Sequence, residues 1–298
     1  MSWNYFFVLK DYLKKKRLFT VISHTVAIIG IEWLILEFSS FCIPGIPNTF
    51  IPLYGFFILP VSFFVAFSIS LYINRPISQV SEKLKDRDIE ISIVIGDFFD
   101  QKGDYIIGTN TTFETDMQEG IISKNSIQGQ FTLKYFKDNI NDLDKKIDEK
   151  LKSVEFTTIA NGKRKNKKYP MGETILIKND TVVAYFVALA DMNSDGVASS
   201  SYSNIVTSLS KLWTHISSHG STGSLIIPIL GTGFSRIETA KEQIIQEIIK
   251  TFIKACSTKR FTHKLTIVIY SRDYRNANLD LDSLGEFLKC QCKYAEFK

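Results

Sequence analysis

Cysteine and histidine are scarce in this chain, with four of each among 298 residues. Cys42, Cys256, Cys290 and Cys292 are not spaced as metal ligands, and no histidine stands near a cysteine or an acidic cluster. A zinc site is therefore not expected. Cys290 and Cys292 lie too close in sequence for an ordinary disulfide framework, so the thiols read as reduced, in a cytosolic setting. Several catalytic signatures are missing too: no Gly-x-x-x-x-Gly-Lys-Ser/Thr loop, no nucleophile elbow, no paired Cys and His. Repeats and low-complexity tracts are absent, and a formal net charge of +5 is too mild to name a partner.

What the chain has in excess is apolar sequence near its start. Residues 1–17 open on Trp3, Tyr5, Phe6 and Phe7 and turn basic at Lys10, Lys14, Lys15, Lys16 and Arg17. Leu18 to Leu36 is nearly all apolar, and Tyr54 to Ile73 carries no charge. Each run is about 20 residues, the length of a helix that crosses the hydrocarbon core. The connection 39–53 has no Lys or Arg and holds Pro44, Pro47 and Pro52, whereas Arg75, Lys83, Lys85 and Arg87 follow the second run. Basic flanks outside and none between predict a transmembrane hairpin with both termini cytoplasmic. A cleaved signal peptide fits less well, because Glu32 interrupts the first run and no small-x-small site follows. Cys42 likewise lacks the small residue expected before a lipidated cysteine.

The expected organisation is residues 1–75 as an N-terminal segment with spans at about 18–37 and 54–73, a helical linker at 76–87, and a soluble domain at 88–298. A carboxyl group inside a span should face a helix partner or water. For Glu32 this leaves a contact in an oligomeric bundle or a pore lining; the favoured reading places it, with Glu37, near the outer end, where both snorkel out. Pro60 is expected to bend the second span.

The soluble part alternates strands and helices. Strands are expected at Ile89 to Ile95, at Tyr105 to Ile107 ahead of a polar loop 108–112, and as a pair at 173–178 and 182–189 joined at Asn179 and Asp180. Further strands are expected near Leu225 to Leu230 and Leu265 to Tyr270. Helical patterns cover a stretch through Phe131 and Phe136, the charged segment 142–151, an amphipathic segment 202–218, 239–256 with Thr239 and Glu242 at capping-box spacing, and a closing segment near 281–288. This alternation argues for an α/β sandwich around a mixed sheet. The basic run Lys163, Arg164, Lys165, Lys167 and Lys168 reads as a charged hairpin tip rather than a site for phosphates or lipid headgroups. Trp213 reads as packing, and Asn125 and Gln128 as loop-fixing residues.

Three loops follow buried strands: Gly96-Asp97, 108–110, and Gly231-Thr232-Gly233. In open α/β sheets, ligands sit outside the carboxyl ends of strands, so these loops are placed to share one pocket. An acid after a strand accepts a hydrogen bond from an exocyclic amine, and glycine-rich backbone before a helix approaches a diphosphate closely.

Gly96-Asp97-Phe98, 104–110, Gly120-Ile121-Ile122 and Pro228 to Phe234 resemble the successive signatures of a macro domain. Together with 110–113, 120–131 and 168–172, and with the hairpin ahead of them, they resemble the divergent macro domain of the Thoeris ThsA family. The resemblance implies a macro-like α/β/α sandwich that binds ADP-ribose or a derivative, made from NAD by a TIR-domain partner during phage infection. It places Asp97 at the adenine amine and Phe98 beside the base. Asn110, with Thr111 after it, falls near the distal ribose, Gly120 and Ile121 in a first phosphate loop, and Gly231, Thr232, Gly233 and Phe234 in a second.

The first loop lacks the family's usual glycine triplet, which favours a sensor over an eraser. The implied protein is not an enzyme and carries no cofactor or metal; its ligand is a cyclic ADP-ribose isomer or an amino-acid conjugate of ADP-ribose. The implied partners are that signalling nucleotide, membrane lipid and further copies of the chain, with no nucleic acid, at the inner membrane as a multi-pass protein. The rival reading is a membrane-tethered ADP-ribosyl hydrolase, with Asp191 as its candidate base, or a reader of ADP-ribosylated proteins.

Overall fold

The computed structural model describes residues 15–42, 46–75, 77–117, 121–137, 140–159, 165–220, 223–230, 240–277 and 279–295. The chain divides into two units, Met1–Ile77 and Ser78–Lys298.

The first unit is a pair of antiparallel helices, α1 (Lys15–Cys42) and α2 (Ile46–Ile73). Both run beyond the expected spans, so the connection contracts from 39–53 to residues 43–45. Pro47 lies in the first turn of α2, where its missing N–H would have had no helical partner. Beyond Pro60, α2 continues without a break. Polar groups face one another across the pair. Ser70 Oγ donates to the Val21 carbonyl at 2.7 Å, Asn74 Nδ2 lies 2.9 Å from His24 Nδ1, and Ser62 Oγ donates to Glu32 Oε2. Arg17–Cys42 is long and apolar enough to cross a membrane, while Leu59–Ile73 is a shorter apolar stretch among the described residues.

The second unit begins with β1 (Gln79–Lys83) and β2 (Glu90–Ile95), followed by β3 (Asp104–Asn110), α3 (Ile127–Tyr135) and α4 (Ile140–Leu151). Next come β4 (Thr157–Thr158), β5 (Lys167–Lys168), β6 (Thr174–Lys178), β7 (Val183–Met192), β8 (Ala198–Ser199) and α5 (Tyr202–His219). The chain then forms β9 (Ser224–Pro228), α6 (Lys241–Thr258), β10 (Lys264–Ile269), α7 (Ser271–Asn276) and α8 (Leu281–Lys293).

The main sheet runs β1-β2-β10-β9-β3-β7-β6, with β8 paired to the end of β7. The five inner strands are parallel, and β1 and β6 close the edges antiparallel. Side chains of β7 alternate between two helical layers. Phe186 packs edge-on against Phe131 of α3, while Tyr185 meets His215 of α5. This is a macro-like α/β arrangement with a mixed sheet.

The helices follow their apolar spacing. Leu143, Ile147 and Leu151 recur every four residues and are buried along α4, each burial contributing about 1.5–3 kcal/mol. Helix α5 starts at Ser201, whose hydroxyl accepts from Asn204 N at 3.2 Å, and buries Ile205, Leu209, Leu212, Trp213 and Ile216. Trp213 is packing, as expected: it sits edge-on to Phe252 and donates to Thr251 Oγ1 at 3.1 Å.

Two expectations give way. Residues 79–83, expected in a helical linker, form edge strand β1 paired with β2, its Val80 packed under Gly285 of α8. The polar loop expected at 108–112 begins later, because Gly108, Thr109 and Asn110 remain in β3 against β7. Helix α6 is capped at Ala240 with no side-chain hydrogen bond, and the Thr239 of the expected capping box lies outside the described residues.

Candidate functional site

The parallel inner strands put all their carboxyl ends on one edge of the sheet. From β3 the chain leads towards β7, and from β9 it leads through α6 to the neighbouring β10. The β9/β3 boundary is therefore where the connections diverge, the position at the carboxyl edge where open α/β sheets take their ligands. Asn110 ends β3 on one side; Ile229 and Leu230, both buried, follow β9 on the other. Gly231, Thr232, Gly233 and Phe234 come next but lie outside the described residues, as does Gly120.

Three strands along the sheet from β3, the loop after β2 reaches the same edge. Gly96 N donates to the Ile269 carbonyl at 3.0 Å, tying this loop to the end of β10. Asp97 is exposed, and its Oδ1 accepts from Phe99 N at 2.8 Å, capping the short turn Phe98–Asp100. Phe98 is 4% exposed and packs against Phe99 and Tyr105, so its ring belongs to the core beneath the site. Burial and the neighbouring Tyr135 push the Tyr105 hydroxyl well above its ordinary pKa, which keeps it neutral.

The turn after β3 is held from within. Asn110 Oδ1 accepts from Thr112 N at 3.1 Å, Thr112 Oγ1 at 2.9 Å and Glu114 N at 3.2 Å. Its carboxamide nitrogen is the end left over, with no acceptor paired to it among the described residues. Thr111 is buried and joins three segments. Its N–H donates to the Ala190 carbonyl, its carbonyl accepts from Tyr169 N, and its hydroxyl accepts from Met192 N at 3.0 Å. Phe113 adopts a left-handed φ of 51° and is fully buried against Tyr169, a strained backbone held by its surroundings.

Ile121 lies half-buried in the bend before α3. The next residue, Ile122, donates its N–H to the Asp116 carbonyl at 3.2 Å. Ser126 caps α3 by accepting from Gly129 N at 3.0 Å, and a Cβ on Gly129 would stand 2.2 Å from the Ser123 carbonyl oxygen. Gln128 is buried and donates to the Glu114 carbonyl at 2.6 Å, so it fixes the loop as expected. The structure thus brings Asp97, Asn110, Thr111 and Ile121 to the carboxyl side of the sheet and places Phe98 under them.

Tyr270 had no part in the sequence reading beyond ending a strand. It follows β10 at the same edge, beside Gly96, and is 55% exposed. The signal was available: an aromatic closing the buried run 265–269 obeys the strand-end rule applied to the other loops.

The basic run does form a hairpin, β4 paired with β5, although Lys163 and Arg164 lie outside the described residues. Two of its lysines fold back onto acids. Lys165 Nζ lies 2.6 Å from Asp144 Oδ1 and 3.1 Å from the Phe113 carbonyl. Lys168 Nζ lies 2.7 Å from Asp191 Oδ1 and 2.9 Å from Oδ2. No group of His, Cys, Asp and Glu suited to a metal occurs among the described residues. The arrangement offers an exposed carboxylate, an exposed aromatic and a carboxamide nitrogen at the carboxyl ends of parallel strands, which suits binding of a polar, ring-bearing ligand.

The fold defines a macro-like α/β domain that follows an apolar helix in the chain. Residues 91–270 match the family described as Thoeris protein ThsA, Macro domain, and the chain belongs to that family. It is 24% identical over 197 residues to the Thoeris protein ThsA of Bacillus amyloliquefaciens (strain Y2), an alignment covering 63% of this chain and 65% of that relative. Among solved structures, the Oceanobacillus iheyensis macrodomain with ADP aligns at a TM-score of 0.48 and 14% identity, covering 70% of this chain and 98% of that one. The same macrodomain with MES bound aligns at a TM-score of 0.38 and 14% identity, again covering 70% and 98%.

Proposed function

We propose that this chain is a membrane-anchored effector of anti-phage defence whose macro domain binds an ADP-ribose-derived signal made by a TIR-domain partner. The observation that carries the reading is that Asp97 and Asn110 stand at the carboxyl ends of parallel strands on one edge of the sheet in a chain of the ThsA macro family. In this assignment the free oxygen of Asp97 accepts from the adenine amine and Tyr270 lies against the base. The diphosphate runs along the backbone of the loop that holds Ile121.

Both N-terminal helices cross the inner membrane, as a hairpin with its ends and the macro domain in the cytoplasm. The polar seam between α1 and α2 supports this reading, because it satisfies intramembrane polar groups within the pair. Ligand binding favours an assembled state, and clustered hairpins breach the bilayer. A differential affinity of about 2 kcal/mol is enough to shift that equilibrium roughly thirtyfold. The site is assigned to binding rather than hydrolysis, since both oxygens of Asp191, the candidate base, are held by Lys168.

Titration calorimetry of the full chain in detergent with ADP-ribose, its cyclic isomers and amino-acid conjugates tests the assignment. Saturable binding of at least one, weakened by Asp97→Ala, is expected. No binding by any of them, or equal binding by the variant, sinks it.

A further inference from the structure

The N-terminal pair holds a feature that anchoring alone does not require. Between Arg17 and Glu37 of α1, Glu32 is the sole Asp, Glu, Lys or Arg, and α2 has none. Because α1 extends to Cys42, Glu32 is not near its outer end: it lies about 4 Å past the midpoint of the stretch Arg17–Cys42, at 1.5 Å per residue. Its carboxylate accepts from Ser62 Oγ of α2. Roughly 12 Å along α1, at the same rise per residue, His24 contacts Asn74, and Ser70 binds the Val21 carbonyl nearby. The outward faces are dominated by large exposed apolar side chains such as Trp33, Phe38, Leu59 and Phe64. Among the described residues, the seam is the surface of this hairpin that offers polar groups at mid-depth.

We propose that Glu32 makes the membrane opening formed by this chain selective for cations. The inference rests on the reading that clustered hairpins breach the bilayer. When they cluster around water, the seam faces the opening, and Glu32 from each copy forms a carboxylate ring beside the Ser62 hydroxyls. No lysine or arginine stands at that depth to offset it. A ring of carboxylates in a narrow aqueous path favours cations and repels anions.

The test is reversal-potential measurement on the full-length chain in planar bilayers under a KCl gradient. The chain is reconstituted at high protein-to-lipid ratio, with and without ADP-ribose, and flotation verifies incorporation of each variant. The wild type and Glu32→Asp are expected to pass potassium about tenfold better than chloride, Glu32→Gln to fall near unity, and Glu32→Lys to favour chloride. A wild-type ratio near unity, or a selectivity unchanged in Glu32→Gln, overturns the proposal while leaving membrane breach intact. No conductance under either condition overturns the breach itself, and the proposal with it.

Discussion

Gly96 N–H reaches the Ile269 carbonyl at 3.0 Å and so binds the loop after β2 to the end of β10. This bond extends the parallel pairing of β2 with β10, which brings Asp97 and Tyr270, separated by more than half the chain, to the same carboxyl edge of the sheet. A ring-bearing ligand at that edge would meet both.

Replacing either residue should weaken ligand binding without unfolding the domain. Asp97→Ala is expected to cost ADP-ribose affinity roughly 10- to 100-fold, the range for a charge-assisted hydrogen bond. Tyr270→Ala should cost a loss of similar order through lost stacking, about 1–3 kcal/mol. Calorimetry reads both, and a melting temperature within a few degrees of wild type shows the fold is kept. Full affinity in the two variants would place the ligand elsewhere.

The turn after β3 depends on α3. Gln128→Leu leaves the Glu114 carbonyl buried without its 2.6 Å partner, a loss of about 1–3 kcal/mol. Gly129→Ala forces a Cβ against the Ser123 carbonyl at a cost of about 1–3 kcal/mol. Urea unfolding of the purified chain should show both losses; wild-type midpoints would mean that helix and turn are not coupled.

An acid-sensitive contact sits at the opposite end of the sheet. Lys264 Nζ lies 2.8 Å from Glu90 Oε1, and this bond, with the Ser92 hydroxyl, holds the Glu90 carboxyl below its ordinary value of 4.5. A depressed folded-state pKa contributes stability above the unfolded value and loses it as pH falls further. Glu90→Gln should therefore be less stable than wild type at neutral pH, with the gap closing below about pH 4. Both side chains are about one-third exposed, so the effect is small and shrinks in salt. A gap independent of pH would rule out the ion pair as its source.

Thiol reactivity should divide the cysteines two and two. Burial pushes the thiols of Cys256 and Cys292 up to about 12, whereas Cys42 and Cys290 are exposed. The thiolate is the reactive form. Iodoacetamide at pH 8 is expected to modify Cys42 and Cys290 in the folded chain and the other pair only after denaturation, as mass spectrometry would show. Prompt labelling of Cys256 would contradict the packing of α6.

Local pattern carried much of the fold. Apolar spacing in 142–151 and 202–218 marked the helices correctly, because one face of each had to be buried whatever lay opposite. The hairpin at Asn179 was equally plain: Asn179 Oδ1 accepts from Thr181 N and Val182 N within the turn itself. Edge strand β1 was not legible, since it is half-exposed and charged and its strand character comes from pairing with β2. Phe98 was expected beside a base, but a buried aromatic cluster with Phe99 and Tyr105 occupies its ring, and only packing reveals that preference.

The amino-acid sequence by itself determined the apolar N-terminal runs, the alternation of strands and helices, and Asp97 and Asn110 as residues at strand ends. These follow from composition and short-range periodicity, which act within a few residues. Tertiary structure alone decided that Tyr270 stands beside Gly96, that Lys168 closes on Asp191, and that Glu32 faces Ser62. Each of those relations joins residues distant in the chain, and their geometry exists only once non-local strand and helix pairings have set which surfaces meet.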